Sequence, residues 1–323
     1  MLKINPLSTL YVGIDVSSKS NYVCALDFYK NKYINSSFAN NQPGAEELAL
    51  KILECLKEHP DITTIVAALE STSVYSIHIA NYLSSCEELM RFKPYVFVLN
   101  PKCTANYKKS YIGLGKSDPI DAFVIADYAR AGNIESEPWR GSQFLALKRL
   151  TRHRLHLVEC MTREKTYLVS NLYLKFSELQ MLEGDDQPFC DIYGATSSSV
   201  LMEYFSPEEI LDSSEEDLIA FLAKKSRNRI KDISKTADLL KKAARDSYRL
   251  DKALYEPLNV SIASSFNCIE TFKREIKVID NAIEKEIKGL NPNAFIILQS
   301  IDGIGPVFAG GIIAEIGDIT RSE

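Results

Sequence analysis

No run of uncharged apolar residues in the sequence approaches the ~18 needed to cross a bilayer. The opening, Met1-Leu2-Lys3-Ile4-Asn5-Pro6, also lacks the charged start and following apolar stretch of a secretory leader. A cytoplasmic location with no membrane partner is therefore expected. Paired cysteines are missing too. The seven present (Cys24, Cys55, Cys86, Cys103, Cys160, Cys190 and Cys268) are odd in number and contain no C-x-x-C, which argues against a disulfide framework and a thiolate zinc site. They read as reduced thiols, mostly in the core. An excess of positive charge is the third absence: 38 Lys and Arg stand against 43 Asp and Glu, for a net charge of −5. That excludes a globally basic nucleic-acid coat and leaves room for a local basic face. What remains, 46% hydrophobic and 25% charged residues over 323 positions, excludes a wholly disordered chain and predicts about two domains.

The first 138 residues alternate strand and helix signals. Leu10 to Phe28 reads as a β-hairpin around the polar Ser17-Ser18-Lys19-Ser20-Asn21 turn, with a third strand at Tyr33 to Phe38. After Pro43-Gly44, Leu48, Ile52 and Leu56 recur at helical spacing up to His59-Pro60. Ile62 to Leu69 reads as a buried strand closed by Glu70, and Tyr95 to Leu99 as another closed by Asn100-Pro101. Helices are predicted over Val74 to Ser85 and Pro119 to Ala131. The sum is a mixed α/β sheet with flanking helices.

Beyond Pro138-Trp139 strand signals stop. A helical stripe runs from Phe144 to Leu182, and its first half is basic, with Arg140 just ahead of it and Lys148, Arg149, Arg152, Arg154, Arg163 and Lys165 within it. Phe176 to Ala223 holds twelve Asp or Glu and no Lys or Arg, whereas Lys224 to Lys252 holds eleven basic residues. The small net charge conceals this segregation. Two heptad-like seams follow, through Ile230, Ile233, Ala237, Leu240 and Ala244 and through Ile269, Phe272, Ile276, Ile279, Ile283, Ile287 and Leu290. Each could pair within the chain or with another subunit.

The carboxylates carry the chemistry. Asp15 closes one apolar strand and Glu70 another, where isolated charges are costly to bury. Lys116-Ser117-Asp118-Pro119-Ile120-Asp121-Ala122 adds an i, i+3 pair on the first turn of a helix. A capping explanation competes there, with Asp118 as N-cap, Pro119 at the first helical position and Asp121 near the positive end of the macrodipole. Taken together, converging carboxylates need a cation, which oxygen ligands supply as Mg²⁺ or Mn²⁺. Two such ions can drive phosphodiester cleavage. The order of acids along strand, later strand and helix is that of an RNase H-like nuclease fold. Gly13-Ile14-Asp15-Val16-Ser17 also resembles the phosphate hairpin of sugar kinases and actin-like ATPases. Ser17 stands where those favour glycine, and no later Asp-Gly-rich phosphate loop follows in the first 140 residues.

Tyr11-Val12-Gly13-Ile14-Asp15-Val16-Ser17, Ala68-Leu69-Glu70-Ser71-Thr72 and Gly115-Lys116-Ser117-Asp118-Pro119-Ile120-Asp121-Ala122 resemble the motifs of DEDD transposases of the insertion-sequence "one-ten" family, related to the pilin-gene invertase. Leu147-Lys148-Arg149-Leu150-Thr151-Arg152 and Leu298-Gln299-Ser300-Ile301-Asp302-Gly303-Ile304-Gly305-Pro306 are similar to theirs as well, so the resemblance spans about Leu10 to Ile319. It implies a RuvC-like (RNase H-like) catalytic domain over 8–138, a helical coiled-coil region over 139–290, and the start of a C-terminal transposase domain over 291–323. It makes Asp15, Glu70, Asp118 and Asp121 the metal-binding catalytic acids. The partners it implies are DNA, a structured guide RNA and further copies of the chain.

Lys116, Arg149, Arg152, Arg154, Gly303 and Gly305 are the candidate nucleic-acid contacts. Asp302-Gly303-Ile304-Gly305-Pro306 reads as a helix-hairpin-helix turn whose glycines admit a phosphate, or as an ordinary helix-helix turn with Gly cap and Pro at the first helical position. The family's strand-exchange serine lies tens of residues beyond this turn, so none transfers to this chain, and Ser322 is too close to qualify. A C-terminally truncated transposase, able to bind or nick DNA but not to complete recombination, is expected. With the rest of that domain missing, Val307-Phe308-Ala309 and Ile312-Ile313 should be exposed or covered by another subunit or the coiled-coil helices. A junction-resolving nuclease on the same fold and a non-catalytic nucleic-acid-binding relic are the alternatives.

Overall fold

A computed structural model describes residues 4–316; residues 1–3 and 317–323, with Ser322 and Ile319 among them, lie outside the described residues. The chain forms two compact units that divide between Leu145 and Ala146.

The first unit is built on five strands: β1 (Thr9–Val16), β2 (Ser20–Leu26), β3 (Lys32–Ala39), β4 (Thr64–Glu70) and β5 (Pro94–Leu99). Its helices are α1 (Gln42–Glu58), α2 (Tyr75–Ser85), α3 (Glu87–Met90), α4 (Pro101–Lys108) and α5 (Asp118–Arg130). The strands line up as β3-β2-β1-β4-β5, with β1, β4 and β5 parallel and β2 antiparallel to both of its neighbours. Alternation along each strand divides the core in two. Leu10, Val12, Ile14 and Val23 pack under α1 and α2 with Leu48, Ile52, Ile79 and Leu83. Tyr11, Cys24, Leu26, Val66 and Ala68 face α5 through Ala122, Ile125, Ala126 and Ala129. The helix predicted after Pro43-Gly44 starts as its residues suggest, because the Asn41 side chain accepts the Gly44 amide at 3.0 Å as an N-cap.

One close approach shapes this unit. A Cβ on Gly13 in β1 would fall inside van der Waals contact of the Ala122 carbonyl and the Ala126 amide of α5. Glycine facing alanines therefore lets the helix backbone lie directly on the strand.

The second unit is helical: α6 (Ser142–Lys175), α7 (Ala195–Glu203), α8 (Pro207–Asp212), α9 (Glu215–Ser226), α10 (Ile233–Asp246), α11 (Lys252–Leu290), α12 (Pro292–Gln299) and α13 (Pro306–Ile316). Leu168, Leu172, Leu201, Leu218, Leu222, Leu240, Ile262 and Phe266 form its core. The first seam runs shorter than its spacing suggests. Asp232 caps α10 by accepting the Lys235 amide at 2.9 Å, which leaves Ile230 ahead of the helix, while Ala237, Leu240 and Ala244 are buried inside this unit. Ile283 and Ile287 of α11 are buried as well, close against Gly310 of α13. Ala309 and Ile313 are likewise buried, whereas Phe308, Ile296 and Ile297 are exposed.

The predicted helix over Phe144 to Leu182 stops at Lys175, where the side chain turns into the core and donates to the carbonyls of Leu201 (2.7 Å) and Tyr204 (2.6 Å) and to Asn259 Oδ1. Among the described residues no helix is long and apolar enough to cross a membrane.

Candidate active site

The parallel register sets the first two acids side by side. Gly13 pairs with Ala68 and Ile14 with Leu69, so Asp15 and Glu70 end adjacent strands on the face that Gly13 presents to α5. The same helix brings the other two acids. Asp118 and Asp121 lie in its first turn, and the close contact at Gly13, Ala122 and Ala126 draws that turn toward the end of β1.

The capping explanation for Asp118 does not hold. Ser117 occupies the N-cap with extended backbone, the helix starts at Asp118, and no side chain bonds an N-terminal amide there. Asp118 sits one position inside the helix, because the Asp121 amide already bonds the Ser117 carbonyl at 2.9 Å.

Asp15 feels the other three acids. Burial, and then the negative fields of Asp121, Glu70 and Asp118, push the half-buried Asp15 carboxyl up to about 6, with Lys108 acting in the opposite direction. Two neighbours from α4 engage the other acids: Thr104 donates its hydroxyl to Glu70, and the Lys108 ammonium pairs with Asp121. A cleft of ≈450 Å³ opens beside them, lined by Glu70, Thr104, Lys108, Lys116 and Asp121. Among the described residues no three His, Cys, Asp or Glu side chains form a ready-made metal cage. The donor set is nonetheless all oxygen and its charges repel, and that chemistry suits a hard divalent cation.

Residues 12–177 match the family model of the DEDD transposases of the insertion-sequence one-ten type, described as a transposase. The chain belongs to that transposase family. Comparison with curated proteins returns no match.

The remaining predicted contacts of this transposase fall in two groups. Lys116 is exposed in the first unit at the rim of the cleft, and Arg149 is exposed on α6 of the second. Gly303, with φ +87°, and Gly305 lie in the turn between α12 and α13. Arg152, by contrast, pairs with Glu315 at 3.1 Å, a carboxylate that Lys148 also holds at 2.8 Å, and Arg154 pairs with Asp280. Three of the eleven basic residues at 224–252 are also paired from within: Lys225 with Glu203, Arg249 with Glu208 at 3.0 Å, and Lys242 with Asp186 at 3.9 Å. The acidic and basic blocks of the sequence thus meet in the same unit.

Sequence reasoning missed α4 and what it carries. Its polar composition buries only Thr104, so no apolar period announces it. The readable signal was Asn100-Pro101, an N-cap with Pro at the first helical position, whose side chain accepts the Lys102 amide at 3.0 Å. It also missed Asp127 of α5, which is fully buried. Tyr107 Oη (2.8 Å), Tyr111 Oη, Arg130 Nε (2.6 Å) and Lys30 Nζ (3.1 Å) all reach its carboxylate.

Proposed function

We propose that this transposase is an RNase H-like (RuvC-like) enzyme that cleaves DNA at a divalent-metal site held by Asp15, Glu70, Asp118 and Asp121. The observation that carries the reading is the placement of these four acids at the ends of β1 and β4 and the start of α5, where the other three raise the proton affinity of Asp15. Mg²⁺ or Mn²⁺ bound there supplies Lewis-acid stabilisation of charge developing on a phosphate. The protein's own contribution is orientation. Thr104 fixes one oxygen of Glu70, and the apolar face between β1 and α5 backs the base of the cluster.

Lys116 and Arg149 contact the DNA backbone in this reading, and the turn at Gly303 and Gly305 acts as a helix-hairpin-helix phosphate contact ahead of α13. A structured RNA guides the choice of DNA, and copies of the chain work together. Mg²⁺-dependent cleavage is the step assigned to these four acids, and no residue is assigned as a nucleophile.

Asp15→Asn should lower Mg²⁺-dependent cleavage of an element-end duplex by more than about a hundredfold with an unchanged circular-dichroism melt. Cleavage that survives in Asp15→Asn would overturn the site. Cleavage confined to four-way junctions would instead identify a resolvase, and efficient strand exchange would call for a serine within the chain.

A further inference from the structure

Lys108 is the last residue of α4, and its ammonium reaches across to Asp121 on α5, each side chain about a quarter exposed. Its position is not that of a loose surface lysine. Tyr107 beside it and Tyr111 just beyond both donate to Asp127, the buried carboxylate two turns down α5 from Asp121. Lys30 and Arg130 hold the same carboxylate from the β2–β3 turn and from α5 itself. The end of α4 is therefore tied to α5 by an anchor independent of the Lys108 pair, and Lys108 is presented to the acid cluster by built structure.

Two further observations give this lysine a task. Among the described residues the acids form no ready-made cage while Asp121 faces Lys108 and Glu70 faces Thr104. Lys108 also lines the cleft together with Lys116, so an ammonium that left Asp121 would remain in an open cleft beside a second lysine. A fixed ammonium and a divalent cation on one carboxylate repel each other strongly at contact distance.

We propose, resting on the four-acid reading, that Lys108 is the resident counter-ion of Asp121: a divalent cation displaces its ammonium, which then neutralises a DNA phosphate in the cleft. Lys108 thereby keeps the acids paired when the metal is away and makes metal loading and DNA contact favour one another.

The test is Mn²⁺ titration calorimetry on the full chain, followed by binding to a mixed-sequence duplex at saturating Mn²⁺ over a series of salt concentrations. Lys108→Met should bind Mn²⁺ about fivefold more tightly, the scale of one partly exposed ion pair. Its duplex affinity should fall with a salt slope smaller by about one, and Lys108→Arg should match the wild type in Mn²⁺ affinity. Lys108→Gln serves the same comparison if the methionine variant does not fold. Equal or weaker Mn²⁺ binding by the neutral variants overturns the inference, as does tighter binding with an unchanged salt slope, or an arginine variant that behaves like methionine. Asp15→Asn separates the two levels. If it binds Mn²⁺ as the wild type does, the four-acid site fails and the Lys108 role with it. If it loses Mn²⁺ while Lys108→Met equals wild type, only the Lys108 role fails.

Discussion

At Asp127 a single carboxylate without solvent contact answers two cations and two phenols drawn from three separate stretches of chain. Burial alone would raise its proton affinity, but the hydrogen bonds from Tyr111, Arg130, Tyr107 and Lys30 hold it below the usual carboxylate range. Because the folded value lies below the unfolded one, this hub contributes fully above the ordinary carboxylate range and is lost as pH falls through the lower folded value. Asp127→Asn strands Lys30 and Arg130 and should cost the first unit about 3 kcal/mol in urea unfolding at neutral pH; a loss below about 1 kcal/mol would mean that water serves these donors equally well.

Lys175 in the helical unit shows the opposite sign. Burial lowers its ammonium from 10.5 to about 8, although three acceptors surround it. The unfolded chain binds the proton more tightly, so stability should rise with pH between about 8 and 10.5, on the order of 3 kcal/mol in all. Urea midpoints at the two ends of that window should differ in the wild type and draw together in Lys175→Met. Equal slopes for both proteins would show that Lys175 is not the titrating group.

Elements, rather than residues, decide whether the acids meet. Gly13 is the slot through which α5 approaches β1, and valine there suits a strand by local propensity yet collides with the helix backbone. Gly13→Val should therefore destabilise the first unit by about 3 kcal/mol or more and release the pressure that neighbouring acids exert on Asp15. A folded, undiminished Gly13→Val protein in a urea melt would mean that α5 can stand off the sheet without cost. The strands were legible because Leu10–Ile14 and Ile65–Leu69 are apolar runs at the centre of the sheet and Val96–Leu99 is a mostly buried apolar run at its edge. Asp15 and Glu70 were legible because they interrupt those runs. Lys108 and Thr104 were not, since a helix with one buried residue has no hydrophobic period. Asp127 gave only a local sign, its i, i+3 spacing to Arg130, because Lys30, Tyr107 and Tyr111 arrive by tertiary contact. The cap attributed to Asp118 failed by a single position, a distance at which sequence preferences for Ser and Asp do not discriminate.

On the scale of the whole molecule, two units with separate cores divide the labour that the sequence shows as one string of charge blocks. In the helical unit the acidic and basic blocks meet in part, through the pairs of Lys225 with Glu203, Arg249 with Glu208 and Lys242 with Asp186, so neighbouring acids offset part of the basic stretch's field. In the first unit the close seat of α5 on Gly13 has a consequence in time. Asp15 and Asp121 are more than a hundred residues apart, and β2 can pair with β1, and β3 with β2, through short turns well before α5 leaves the ribosome. Local hairpins form first and distant docking follows, so amides of β2 and β3 should gain protection in pulsed hydrogen exchange during refolding before those of α5. Simultaneous protection would point to a single nucleus that already contains the helix. A nascent chain ordered this way displays strands early but carries only part of its acid cluster. The gathering of negative charge is deferred until the helix that completes it is ready to dock.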